Sequence, residues 1–432
     1  MPQADLCIQR ALWQDREVDL WVLDGRIHAL HPSLSSPEIE ARKTVSARGL
    51  MLLPGFIDSH AHLREPGQEY KEDIATGLEA ALCGGFCQVM CMANTEPVND
   101  QAGVTELMRS RARSSHPQGP QLFPVGALSK RLRGEELAPM YELAQAGCIA
   151  FSNDGIPVGD SGLFRRALEY SADLGLPVID HCEDPGLSGS GVINEGRMSD
   201  ALGLPGQPTL AESTQVSRDI LLAAYLDIPV HLAHISCRES VELLFWAKRK
   251  GIPVSAETCP HYLVWNESLA SGYNTLAKVN PPLRTNDDRL ALCQGVRDGT
   301  IDTLATDHAP HADFEKEAPF AQAANGISGL DTALSLTWSL IEAEELGLAD
   351  ALRLWCERPA AIFRLASNGF QPGDPADFFL FHPGEPWTVS EASLKSKGKN
   401  TPCLGQELKG KVKMSCIRGS LAYTEEHEPE LG

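Results

Sequence analysis

Two histidines one residue apart, His60 and His62, follow the apolar run Leu52–Ile57. In an extended strand, residues two apart share a face, so both imidazoles can reach one cation. Further on, His181 and His234 offer more ring nitrogens and Asp307 a carboxylate. Neutral imidazole with carboxylate is a ligand set suited to zinc in a hydrolase. An isolated His-x-His pair is common on protein surfaces, so the position of the other groups matters more. Each of them also follows an apolar run: Asn94-Thr95, Ser152-Asn153-Asp154, Asp180-His181-Cys182-Glu183, His234, Glu257 with His261, and Thr306-Asp307-His308-Ala309-Pro310-His311. Glu257 and His261 are expected to be structural. His28, His31, His116, His382 and His427 fall in sheet-like ends or loops and read as structural or solvated. His231 lies in the same run as His234 but should face elsewhere, and His308 should point away from Asp307.

The elements that would position these groups recur regularly. Eight short apolar runs are Leu52–Ile57, Phe86–Met92, Gln121–Ala127, Cys148–Phe151, Pro177–Ile179, Ile228–Ala233, Ile252–Ala256 and Thr303–Ala305. The segments between them carry helical periodicity, as in Glu212–Tyr225 and Ser240–Lys250, and several close on glycine: Gly84, Gly147, Gly175 and Gly251. Eight alternating β/α units over roughly 300 residues predict an α/β TIM barrel, whose chemistry sits at the C-terminal strand ends. No phosphate-cradling glycine fingerprint follows the first strand, which argues against a doubly wound sheet. Both chain ends alternate apolar and polar residues. Residues 5–30 form a hairpin around Asp24-Gly25, and 369–425 contains three further runs. The expected division is 1–52 and 367–432 as two parts of a small β-sandwich, and 53–366 as the barrel.

Composition narrows the function. The 432 residues carry a formal net charge of −21 and no basic block, which disfavours nucleic acid and anionic membranes as partners. No apolar stretch reaches membrane-spanning length, and the first residues lack a secretory pattern. The 12 cysteines follow no framework and read as reduced thiols of a cytoplasmic protein. Cys83, Cys87 and Cys91 are evenly spaced, but one ends a helical pattern and two lie in a strand, so core packing is expected.

The stretch Gly55-Phe56-Ile57-Asp58-Ser59-His60-Ala61-His62-Leu63-Arg64-Glu65-Pro66-Gly67 resembles the dihydroorotases of the amidohydrolase superfamily. The likeness continues through Met92-Ala93-Asn94-Thr95-Glu96-Pro97, Asp180-His181-Cys182-Glu183-Asp184, His234-Ile235-Ser236 and Glu257-Thr258-Cys259-Pro260-His261. It extends to Asn280-Pro281-Pro282-Leu283-Arg284, Ala305–His311 and Ser396–Pro402, nearly the whole chain in order. The resemblance implies one or two zinc ions on His60, His62, His181, His234 and Asp307. Relatives often bridge two metals with a carbamylated lysine after the fourth strand. Here that place reads Ser152-Asn153-Asp154, so the chain looks like the bacterial subclass that uses an aspartate, and Asp154 is the candidate. Asn153 stands where relatives often carry a second acid. For the substrate, the resemblance assigns Arg64 and Asn94 to the carboxylate, Asn280 and His311 to the ring or its carboxylate, and Phe320 and Ala321 to a loop offering backbone groups. Arg64 also suits that role physically, since a guanidinium grips a carboxylate with two parallel bonds; the other reading is a salt bridge to Glu65 or Glu69.

These expectations add up to zinc-assisted, reversible closure of N-carbamoyl-aspartate to dihydroorotate, with Asp307 moving the proton. A homodimer, with possible association with aspartate transcarbamoylase, is the partner expectation. An allantoinase or hydantoinase is the nearest alternative, and Arg64 and Asn94 argue against it. A catalytically dead scaffold for the transcarbamoylase would be expected to have lost ligands that are all present here.

Overall fold

The computed structural model describes residues 3–33 and 39–425; His427 lies outside them. Eight parallel strands run in chain order: Phe56–Ala61, Phe86–Cys91, Gln121–Ala127, Ala150–Ser152, Val178–Asp180, Val230–Leu232, Val254–Thr258 and Thr303–Leu304. Helices such as Ile74–Cys83, Ser161–Leu174, Thr209–Leu226 and Arg238–Arg249 connect them. This is the expected TIM barrel. The first and second strands are buried at every residue, as strands covered on both faces must be. Met90, Val125, Ala150 and Ile179 come from four different strands and Ala233 directly follows a fifth, yet they form one cluster with Phe363, so they fill the barrel axis. Val89 and Cys91 alternate with Met90 and join the larger layer between strands and helices.

The barrel closes through side chains as well as backbone. Ala61 and His308 form a parallel bridge, and the His62 amide donates to the His308 carbonyl at 2.8 Å. Beside it, the buried Asp58 carboxylate accepts from the Thr306 amide at 2.9 Å and its hydroxyl at 2.6 Å. Asp58 therefore staples the last strand to the first.

Strands from both chain ends join in one eight-stranded sheet: Ala4–Trp13, Arg16–Leu23, Arg26–Pro32, Ala41–Ser46 and Met51–Pro54 with Phe378–Thr388, Glu407–Ile417 and Ser420–Thr424. Leu6, Ile8, Leu20, Leu52, Phe378 and Met414 share a separate core. The hairpin turns at Asp24-Gly25, both with positive φ, as a two-residue turn between right-twisted strands requires. The apolar run expected as the first barrel strand is split. Met51–Pro54 pairs with Phe378–Phe381 in the terminal sheet, and only Phe56–Ala61 enters the barrel. Gly55 sits at the crossing, where a Cβ would run into the Cys87 sulfur. Cys87 and Cys91 are buried and Cys83 ends a helix, in keeping with core packing. No described helix is long and apolar enough to cross a membrane.

Candidate metal centre and substrate cavity

Strand ends deliver His60, His62, Asp154, His181, His234 and Asp307 to one place, each at most 5% exposed. Asp154 is the hub. Its Oδ1 lies 3.3 Å from His60 Nε2, 3.3 Å from His181 Nδ1 and 3.4 Å from His234 Nε2. Its Oδ2 lies 3.4 Å from His62 Nε2. Asp307 Oδ1 stands 3.2 Å from His62 Nε2 and 3.6 Å from His60 Nε2. His234 and Asp307 both hold positive φ, an uncommon backbone state for such residues that marks positions fixed by their surroundings.

This donor set fits a cation. His60, His62 and Asp307 offer ligand atoms all within 4.8 Å of one another, as do His60, Asp154 and His234. His60 Nε2 is buried with no hydrogen-bond partner, an orphaned ring nitrogen whose lone pair, once unprotonated, a metal would take up. Burial works against charge on His60, yet Asp154 and Glu257 hold its pKa well above the ordinary imidazole value. Burial likewise opposes charge on His181, but Asp154 and Glu183 push it up to about 10. Asp154 is held well below the usual carboxylate range against its own desolvation, chiefly by His60. Four imidazoles around two carboxylates thus call for positive charge at their centre.

Three of the four imidazoles, those of His60, His62 and His181, are also held from behind. Glu257 Oε1 lies 2.7 Å from His60 Nδ1, and its other oxygen accepts from Ser59 Oγ at 2.7 Å and meets His231 Nε2 at 3.2 Å. Asn94 Oδ1 lies 2.8 Å from His62 Nδ1. Glu183 Oε2 lies 3.1 Å from His181 Nε2 and accepts from Asn280 Nδ2 at 2.8 Å. Such partners fix which nitrogen faces a metal. Sequence reasoning placed Glu257 as structural and gave Glu183 no role. Glu183 was detectable, two residues beyond His181; Glu257 was not, because 197 residues separate it from His60. His231 stays away from the centre, as expected, but reaches it through Glu257. His308 turns aside to Glu72, 3.4 Å away. His261 is buried beside Cys259 and Asp307, and desolvation lowers its pKa to about 4.

A cavity of about 210 Å³ opens onto the centre, and Arg64, Asn94, Asn280 and His311 line it with His62, His181, His234, Asp154 and Asp307. Arg64 is 8% exposed; its Nε donates to the Pro310 carbonyl at 3.1 Å and its Nη2 lies 3.3 Å from His311 Nε2. It forms no ion pair among the described residues. Glu65 instead pairs with Arg111 at 3.0 Å, and Glu69 accepts from the Gly67 amide at 2.8 Å. A buried guanidinium without a counter-ion, facing a cavity, is a site for an anion. Phe320 and Ala321 do not line the cavity. Phe320 packs with Ile193 and Ala270, and Ala321 is exposed with its carbonyl on Lys278 Nζ. The apolar ring found a hydrophobic cluster of its own, which sequence likeness does not report.

Comparison with known proteins decides the family. A family model described as "Dihydro-orotase-like" matches residues 49–240. A dihydroorotase of Syntrophus aciditrophicus is 45% identical over 412 residues, covering 95% of this chain and 96% of the relative. One from Geobacter metallireducens is 43% identical over 409 residues, with 95% and 96% covered. The chain belongs to the dihydroorotase family. Solved structures echo the fold at lower identity. The L-hydantoinase of Arthrobacter aurescens superposes with a TM-score of 0.86 at 22% identity, over 99% of this chain and 97% of that one. The dihydropyrimidinase of Brevibacillus agri does so at 0.81 and 20% identity, over 98% and 95%.

Within the dihydroorotase family, the departure at the fourth strand end now has a physical account. Asn153 points away from the centre: its Nδ2 donates to the carbonyls of Leu132 and Ile156, and its Oδ1 accepts from Ser129 N and Oγ. An acid could not make the two donations. Of these two neighbours, only Asp154 faces the imidazoles.

Proposed function

We propose that this dihydroorotase-family chain interconverts N-carbamoyl-L-aspartate and L-dihydroorotate with one or two zinc ions on His60, His62, Asp154, His181, His234 and Asp307. The observation that carries the reading is Arg64: a buried, unpaired guanidinium in the same cavity as the imidazole–carboxylate cluster. A hydantoin has no ring carboxylate to occupy it; dihydroorotate has one.

When bound, the metal supplies a Lewis acid that polarises the ring carbonyl and lowers the pKa of water. The chain does the rest. Arg64 takes the carboxylate. Asn94 Oδ1 is engaged by His62, which leaves the Asn94 amide N–H groups for the same carboxylate. His311 and Asn280 border the ring. Asp307 meets two imidazoles, His62 and His60, through one oxygen, where Asp154 meets four, so it is the less committed carboxylate and the one to accept a proton. In the hydrolytic direction it takes the proton from water and gives it to the ring nitrogen as the amide C–N bond breaks. In the biosynthetic direction it removes a proton from the carbamoyl nitrogen as that bond forms. Zinc suits the mixed nitrogen and oxygen donors. Residence in the cytoplasm, a homodimer and an aspartate transcarbamoylase partner complete the reading; light scattering with and without the transcarbamoylase tests the last two.

The deciding experiment quantifies metal in the purified protein and assays dihydroorotate, hydantoin and allantoin side by side. Zinc-dependent turnover of dihydroorotate above the other two is expected. Preference for hydantoin or allantoin, or full activity without metal, would overturn the proposal.

A further inference from the structure

Two lysines are buried beside the cavity and belong to no step described above. Lys278 and Lys316 are each 4% exposed, and neither forms an ion pair among the described residues. Glu315 and Glu317 flank Lys316 in sequence; Glu315 is held by Lys71 at 2.8 Å, and Glu317 forms no ion pair with Lys316 among the described residues. Backbone carbonyls surround both amino groups instead. Lys278 Nζ donates to Ala321 O at 3.1 Å and Ala323 O at 2.7 Å. Lys316 Nζ donates to Thr275 O at 3.1 Å, Lys278 O at 3.1 Å and Ala324 O at 2.8 Å. Burying an amino group is costly, and carbonyl oxygens converge on one only where the fold gains from the bonds.

What they join is informative. The carbonyls belong to two segments, 275–278 and 321–324. The first leads directly into Asn280 and the second into Asn325 and Gly326, and all three line the cavity. The Gly326 amide adds one bond to the Lys278 carbonyl at 2.9 Å, and the Asn325 carbonyl lies 2.9 Å from His311 Nε2. Segment 317–326 has little secondary structure of its own, so side-chain amines do the work that a ladder would do elsewhere.

We propose that Lys278 and Lys316 are positioning residues that clamp segment 321–326 onto segment 275–280 and so set the cavity wall that receives the anionic substrate. Neither touches the substrate; they act through Asn280, Asn325 and Gly326. The substrate part of this inference rests on the proposed function; the clamp itself does not.

The test uses Lys316→Met and Lys278→Met in the full metal-loaded protein, with amide hydrogen exchange as one readout and steady-state kinetics on dihydroorotate as the other. Faster exchange at Ala324 and Gly326 is expected, with metal content unchanged and KM raised about tenfold while kcat stays within about threefold. Unchanged exchange in folded variants would overturn the clamp, and a fall in kcat with KM unchanged would overturn its effect on substrate binding. If the methionine variants do not fold, Lys316→Gln, which keeps two donors but not the charge or the reach, decides on the same readouts. Wild-type protein inactive on dihydroorotate would sink the functional reading, while the exchange data would still judge the clamp.

Discussion

The carboxylate of Glu257 and the ring of His60 meet at 2.7 Å, both wholly sealed from solvent, from strands on opposite sides of the sequence. Because Nδ1 of His60 is committed to this contact, only Nε2 faces Asp154 and Asp307. Removing the carboxylate in Glu257→Ala should lower metal affinity about 10- to 100-fold, with Glu257→Gln recovering part of it through its amide oxygen. Competition against a chelator measures this directly; equal affinity in all three proteins would show that the contact does not orient the ring.

Arg64 predicts a split between activity and stability. A buried charge without a partner burdens the fold, and an apolar side chain of similar length relieves it. Arg64→Met should therefore raise or preserve Tm while raising KM for dihydroorotate about 100-fold, the cost of losing a charged contact to the substrate. Arg64→Lys should not restore the wild-type KM, because an ammonium cannot make two parallel bonds. A variant with normal KM would remove Arg64 from the substrate site.

Asp307 carries the proposed proton transfer. Asp307→Asn keeps an oxygen donor and leaves His60, His62, Asp154, His181 and His234 in place, so metal should be retained. Turnover should fall by a factor of about 100 to 10,000. Single-turnover rates on the metal-loaded variant distinguish this from metal loss, and substantial activity would reduce Asp307 to a ligand.

His311 gives a pH signature. Burial, with Arg64 and Lys71 nearby, lowers its pKa from the ordinary 6.5 to about 3. The folded value is below the unfolded one, so the unfolded state binds the extra proton first as pH falls. The stability His311 contributes is present above pH 6.5 and lost as pH drops toward 3. Urea midpoints for His311→Gln should decline less steeply than wild type between pH 6.5 and 4; parallel declines would contradict a neutral, buried ring.

Local patterns were enough to announce the barrel and most of its centre. Period-two and 3.6-residue repeats are written within each element, so the alternation of Phe86–Cys91 with helices such as Thr209–Leu226 could be read directly. The barrel then dictates where chemistry lies, at strand ends, which is why His60, His62, His181, His234 and Asp307 could be named before any contact was known; Asp154 was named only through the family resemblance. Tertiary structure alone decided the rest. The run Leu52–Ile57 looks continuous, yet the close approach of Cys87 at Gly55 divides it between two sheets. Likeness assigns Phe320 to a loop offering backbone groups and is silent on its ring, which is buried with Ile193 and Ala270. Glu257 behind His60, Asp58 across the barrel seam and the Lys278–Lys316 clamp join segments tens to hundreds of residues apart. Strand tilt, register and side-chain direction set such meetings, and none of these is encoded in the spacing of residues along one element.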